Sequence, residues 1–199
     1  MPDSGVAGYE FEEDLTDSWG SNDATSSGGI TYASDGPVGT YAASLDGSDD
    51  EVSFGPITIS PPYSYSFWAK PTNSTTNTYW LAVLNSSDDD SGSVIYNFTT
   101  NEVEYFGAND GTRFTIDTVS APASSYKLYT VTHSGSSVTT YVNGSQTNAA
   151  SQSQPTIEIR YLGRSLAGDN APLDADDVRI YDKELSSTEV SDLYNTGSI

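Results

Sequence analysis

Short runs in which apolar and polar residues alternate one for one, parted by clusters of Gly, Asn, Asp, Ser and Pro, occupy nearly all of this 199-residue chain. A period of two sends successive side chains to opposite faces of an extended segment, so each run reads as a strand with one buried face. The clearest is Tyr63-Ser-Tyr-Ser-Phe-Trp-Ala-Lys70, where Tyr63, Tyr65, Phe67 and Ala69 share a face and Trp68 takes the other. Runs at 8–11, 79–84, 93–98, 102–106, 112–116, 126–133, 137–143 and 157–161 repeat the pattern. Ser134-Gly-Ser136 supplies a three-residue hairpin loop, and Asn143-Gly144 marks the next tight turn. Many short strands with regular turn signals and almost no helix predict an all-β, two-sheet antiparallel sandwich of the jelly-roll kind.

The chain closes on a different pattern. Val178 and Ile180 alternate with Asp177, Arg179 and Asp182, which predicts a last strand whose entry is the acidic pair Asp176-Asp177. Ser186 to Glu189 then has the spacing of a capping box, with Leu185 and Val190 placed as a hydrophobic staple. Val190, Leu193 and Tyr194 make one apolar stripe, so a short C-terminal helix must dock on something larger.

Seven Lys and Arg against 28 Asp and Glu give a formal charge of -21, which argues against nucleic acid as a partner. Aromatic residues at 12% argue against disorder. Such a surface suits a high-salt habitat, because at about 1 M salt the screening length falls to about 3 Å and carboxylate repulsion fades. No run approaches the ~18 apolar residues of a membrane span, so no membrane insertion is expected. Residues 1–10 lack the basic and apolar regions of a signal peptide. Without Cys, stability must come from packing or from an oxygen-ligated cation. No internal repeat or boundary divides residues 1–199, which read as one domain and one gene product.

A set of short motifs in consistent order carries a resemblance. Tyr9-x-Phe11-Glu12, Leu15-x-Asp17-Ser18-x-Gly20, Leu45-Asp-Gly47, Ser66-Phe-Trp68, Tyr141-Val-Asn-Gly144, Leu162-Gly-Arg164 and Asp176-Asp-Val-Arg-Ile-Tyr181 together resemble the laminin-G-like, concanavalin A-like jelly-roll domains. The resemblance implies two sheets packed face to face, with the first strand, Tyr9 and Phe11, beside Val178 and Ile180. It also implies a structural calcium ion at the rim, and a non-catalytic recognition or adhesion module. Calcium takes about 6–8 oxygens from converging loops, and Glu12, Asp17, Asp46, Asp176 and Asp177 are the acidic positions within the motifs. The plainer reading has Asp17 and Asp46 serving local turns and Asp177 pairing with Arg179.

For catalysis the sequence offers little. The one histidine, His133, enters a hairpin, and Glu102 and Glu104 are the sole carboxylates spaced like a glucanase pair. No enzyme activity is expected. Sugars dock on aromatic rings with polar groups beside them, and Trp19, Tyr79, Trp80, Tyr105 and Arg113 are the ligand-binding candidates, read as lying on or near loops. Four N-x-S/T sequences, at Asn73, Asn85, Asn97 and Asn143, are glycosylation acceptors where such machinery is met. Two functional readings follow. The first is a surface structural or adhesion protein of a virus of halophilic archaea (capsid decoration, turret or fibre), assembled with other virion proteins or as a homo-oligomer and recognising host glycan. The second is a carbohydrate-binding module of a secreted or cell-surface haloarchaeal protein.

Overall fold

The computed structural model describes residues 4–73, 78–85, 87–107 and 112–198. Two antiparallel sheets carry the fold among these residues. In chain order the elements are β1 (Gly5–Tyr9), β2 (Thr25–Ser27), β3 (Thr31–Ala33), β4 (Ala42–Asp46), β5 (Glu51–Ile59), β6 (Tyr63–Pro71), β7 (Thr78–Asn85) and β8 (Ser91–Asn97). They continue with β9 (Glu102–Gly107), β10 (Thr112–Thr118), β11 (Lys127–His133), β12 (Ser137–Val142), β13 (Ser145–Ser151), β14 (Ile157–Leu162), β15 (Pro172–Tyr181) and α1 (Ser187–Thr196). One sheet runs β13-β12-β11-β6-β15-β4-β3, with β1 attached to β15; the other runs β10-β9-β8-β7-β14-β5-β2. This is the jelly-roll sandwich the alternation predicts.

Between the sheets lies one large apolar cluster. Tyr63, Tyr65, Phe67 and Ala69 enter it from β6, and Val178 and Ile180 from β15. Trp68, as expected, points away and joins a second cluster with Leu128, Tyr141, Tyr181, Leu185, Val190 and Leu193, where α1 lies over the outer face of the eight-stranded sheet. The capping box is formed: Ser186 Oγ accepts from Glu189 N–H, and Glu189 accepts from Ser186 N–H at 2.8 Å. Gly197 ends the helix in the left-handed conformation. Asn143 and Gly144 both take positive φ, as the two-residue turn between β12 and β13 requires.

The first strand differs from expectation. Gly5–Tyr9 pairs with β15, with Tyr9 opposite Val178 and Ala7 opposite Ile180. Phe11 lies beyond the strand at φ 49°, yet its ring is buried and stacks on Tyr9 at 6.3 Å. Burial of an aromatic ring thus fixes Phe11 where strand pairing does not. The all-polar β2 and the three-residue β3 carry too little alternation to be read from sequence.

Candidate functional site

The acidic pair sits at a break in a sheet edge. β15 is paired by β4 through Pro172–Ala175 and by β1 through Val178–Tyr181, both on the same side. Asp176 and Asp177 fall between the two partners, where the register with β6 also shifts and Asp177 takes φ 48°. The chain leaving β1 turns sharply there, with Phe11 and Glu13 at φ 49° and 61°. Non-glycine residues pay for that conformation, and clustered outliers of this kind point to a functional constraint. Residues 36–41 fill the break. Val38 N–H donates to Asp176 Oδ2 at 3.1 Å, and the N–H groups of Thr40 and Tyr41 donate to Glu12 Oε1 at 2.7 and 2.9 Å.

One loop therefore holds two carboxylates. Asp176 is fully buried, and its second oxygen accepts from the Asp177 N–H at 2.7 Å. Among the described residues no lysine or arginine pairs with it. Burial, with the charges of Asp177 and Glu12 adding to it, pushes the Asp176 pKa up to about 8. A buried carboxylate with another beside it and no cationic partner fits an oxygen-ligated cation, with Glu12 and Asp176 as the side chains that would hold it.

Of the other three acidic candidates, Asp177 and Asp17 are engaged elsewhere, and Asp46 lies in a separate group of carboxylates close enough to share a cation. Asp177 accepts from Arg179 Nε at 2.7 Å. Asp17 accepts from Gly8, Trp19 and Gly20 N–H groups, each at 3.0 Å, and from Asn22, so it organises its own loop. These backbone bonds hold its carboxyl below the usual range against the opposing effect of burial. Asp46 belongs to a separate acidic turn with Asp49 and Asp50, whose ligand oxygens lie within 4.8 Å of one another. Asp50 there accepts from the Asp46 N–H at 2.9 Å.

The ligand candidates also separate. Trp80 and Tyr105, read from sequence as lying near loops, are core residues. A register shift between Tyr79 and Leu81 lets Trp80 and Leu81 both enter the core, where Trp80 stacks on Tyr96 at 5.4 Å. Tyr105 alternates inward with Val103 and donates to Gln152 at 2.5 Å. Trp19 lies over the other sheet, 5.4 Å from Tyr181 and 5.6 Å from the Arg179 guanidinium. Tyr79 and Arg113 remain, both reaching the outer face of the seven-stranded sheet.

Two aromatic rings frame that face. Ala82 and Ser93, on the two strands between them, have no exposed surface and lie beneath neighbouring side chains, with Ser93 Oγ donating to Asp90 Oδ1 at 2.7 Å. Tyr161 lies opposite Ala82 on one side, and Phe106 lies opposite Ser93 on the other. Each of these half-buried rings carries an arginine, Arg164 at 5.3 Å from the Tyr161 centroid and Arg113 at 5.5 Å from Phe106. The Tyr79 hydroxyl donates to Asp90 Oδ2 at 2.9 Å; burial first, and Asp90 after it, push its pKa up. Sequence reasoning missed Phe106 and Arg164, whose assembly depends on strand order, and the alternation of the 157–161 run places Tyr161 on one face with Ile157 and Ile159; a register shift between Ile159 and Tyr161 turns Tyr161 outward and Leu162 into the core instead.

The residues weighed for catalysis have structural partners. Glu104 accepts from Arg113 Nε at 2.6 Å, and Glu102 from Thr115 at 2.9 Å. His133 is buried, accepts from Gly135 N–H through Nδ1 at 2.9 Å and stacks on Tyr63 at 5.3 Å.

Residues 46–191 match the family model of the concanavalin A-like lectin/glucanases superfamily. Among solved structures, domain 4 of an extracellular GH43 arabinanase from Geobacillus stearothermophilus, in complex with arabinotriose, is similar, with a TM-score of 0.76 and 22% identity over 96% of this chain and 98% of that one. A botulinum neurotoxin type C, described as interacting with two ganglioside molecules, shares the fold with a TM-score of 0.70 and 16% identity over 99% of this chain and 52% of its own. Trypanosoma rangeli sialidase with the inhibitor DANA does so with a TM-score of 0.71 and 11% identity over 96% of this chain. This chain spans about half of the neurotoxin chain and 32% of the sialidase chain. No curated protein matches the sequence.

Proposed function

Because this chain belongs to the concanavalin A-like lectin/glucanase superfamily, we propose that it is a non-catalytic glycan-binding and adhesion protein that takes its ligand on the outer face of the seven-stranded sheet. The observation that carries this reading is the pair of half-buried aromatic rings there, Tyr161 and Phe106, each with an arginine at its face. Rings bind the apolar faces of sugars, and the arginine and carboxylate edges meet hydroxyl groups. Two proteins of the same fold, the arabinanase domain in complex with arabinotriose and the neurotoxin that interacts with gangliosides, support it. Arg113→Ala and Tyr79→Ala are each expected to weaken binding of an array-identified oligosaccharide about tenfold, or ~1.4 kcal/mol, with the far-UV spectrum unchanged. Failure of the protein to retain any oligosaccharide would overturn the reading, as would full affinity in both variants.

Calcium at Glu12 and Asp176 belongs to the same proposal as a structural ion at the edge of the eight-stranded sheet, needed to hold the break there. For the setting, we favour the surface of a virion of a virus infecting halophilic archaea, as a capsid decoration, turret or fibre. The support is the charge of -21, which suits molar salt. A stoichiometric copy number in purified particles is expected. Absence from particles would move the protein to the alternative, a carbohydrate-binding module of a secreted or cell-surface haloarchaeal protein.

A further inference from the structure

From the charges around the two rings we infer that the ligand of this face is a neutral, hydroxyl-rich glycan, and that sialylated or uronate-bearing glycans are excluded; this rests on the outer face of the seven-stranded sheet being the glycan site. Three of the chain's seven basic residues, Arg113 and Arg160 on this sheet and Arg164 just beyond the end of β14, at first sight make an anion site. Each is already neutralised. Arg113 donates to Glu104 through Nε at 2.6 Å. Arg164 pairs with Glu51, and Arg160 with both Glu158 and Asp88, at 2.8 Å to each through Nε and Nη2 respectively. Asp90 and Asp169 add negative charge beside the Tyr79 hydroxyl. Three cations thus face six carboxylates. An incoming carboxylate would have to displace a short, partly buried ion pair and enter a negative field that the whole chain reinforces.

A neutral sugar meets neither cost. A guanidinium has five N–H donors, and Arg113 spends two of them on one oxygen of Glu104. The remaining donors, with carboxylate oxygens alongside as acceptors, match the vicinal hydroxyls of a pyranose or furanose. The rings of Tyr161 and Phe106 lie on either side at the spacing of the intervening strands. Held in this way, the ion pairs act as fixed, opposite-signed hydrogen-bonding edges rather than as free charges.

The test is isothermal titration of the whole protein with a neutral oligosaccharide and with an isosteric uronate-bearing or sialylated one, at two salt concentrations. Neutral ligand is expected to bind at least tenfold more tightly, with an affinity that barely responds to salt. Binding of the anionic ligand is expected to strengthen with salt as repulsion is screened. Glu104→Gln, which frees Arg113, is expected to raise affinity for the anionic ligand several-fold while circular dichroism confirms the fold. Anionic ligand binding as tightly as neutral, or weakening with salt, overturns the inference and leaves the glycan site standing. No binding of either class removes the site as well.

Discussion

Replacing Arg179 by methionine is expected to lower stability by about 3–5 kcal/mol, the cost of leaving a buried carboxylate without its partner. For a chain of this size that is a fall in Tm of roughly 6–20 °C. Asp177 and Arg179 are both nearly inaccessible, and the pair is joined by Arg179 Nε at 2.7 Å. Arg179 also donates to the Gly197 carbonyl at 2.7 Å, which ties the end of α1 to the last strand. Burial raises the Asp177 pKa and the Arg179 charge opposes that rise. Without the arginine the carboxyl is driven higher still, so the deficit of Arg179→Met is expected to shrink toward acid pH as Asp177 takes up a proton. Adding Asp177→Asn keeps a residue that tolerates φ 48° and removes the orphan charge, so the double variant is expected to recover most of the loss. A single variant that melts within about 2 °C of the parent, or a double variant no better than the single, would sink this account.

Calcium added to metal-stripped protein at a hundred times its dissociation constant is expected to stabilise the fold by about 2.7 kcal/mol, a rise in Tm of roughly 5–10 °C. The argument runs through Asp176, whose pKa stands at about 8 in the folded chain against an ordinary 3.8. A carboxyl that holds its proton more tightly folded than unfolded contributes stability that is complete below about pH 4 and is lost as pH rises through about 8. Metal-free protein should therefore melt lower at pH 9 than at pH 5, and the gain from calcium should grow over that interval. Asp176→Asn is expected to flatten both the pH trend and the calcium response. An unchanged melting midpoint on adding calcium at pH 9 would count against the site.

Strand positions were legible because alternation survives wherever one face is buried: Tyr63–Lys70 and Asp177–Tyr181 distribute between the two clusters as their pattern dictates. The helix cap was legible because its bonds are local, Ser186 with Glu189. What depends on non-local placement was not. Glu12 meets Asp176 because residues 36–41 enter between β4 and β1, and no spacing in the chain encodes that meeting. Asp17, identical in type, turns inward to its own loop. Trp80 lies inside β7 instead of near a loop, and a register shift beside it sends it and Leu81 inward together, which strict alternation does not encode. The outer face of the seven-stranded sheet was half legible: Tyr79 and Arg113 are visible as half-polar aromatic and basic positions, whereas Phe106 and Tyr161 gain meaning from the strands that lie between them.

The pairing of first strand with last has a mechanical meaning. β1 and β15 run antiparallel, and the rung nearest both chain ends is Gly5 opposite Tyr181, preceded by the Asp182 N–H to Ser4 carbonyl bond at 3.0 Å. Tension applied between the two ends would first peel α1, then load these rungs singly, as a zip opens, instead of shearing them together. Each backbone bond opened that way resists with only about 1 kcal/mol. A tether anchored at one end and loaded through the face of the seven-stranded sheet leaves that zip untouched, so the direction of pull, more than the depth of the core, would set how long such a module holds.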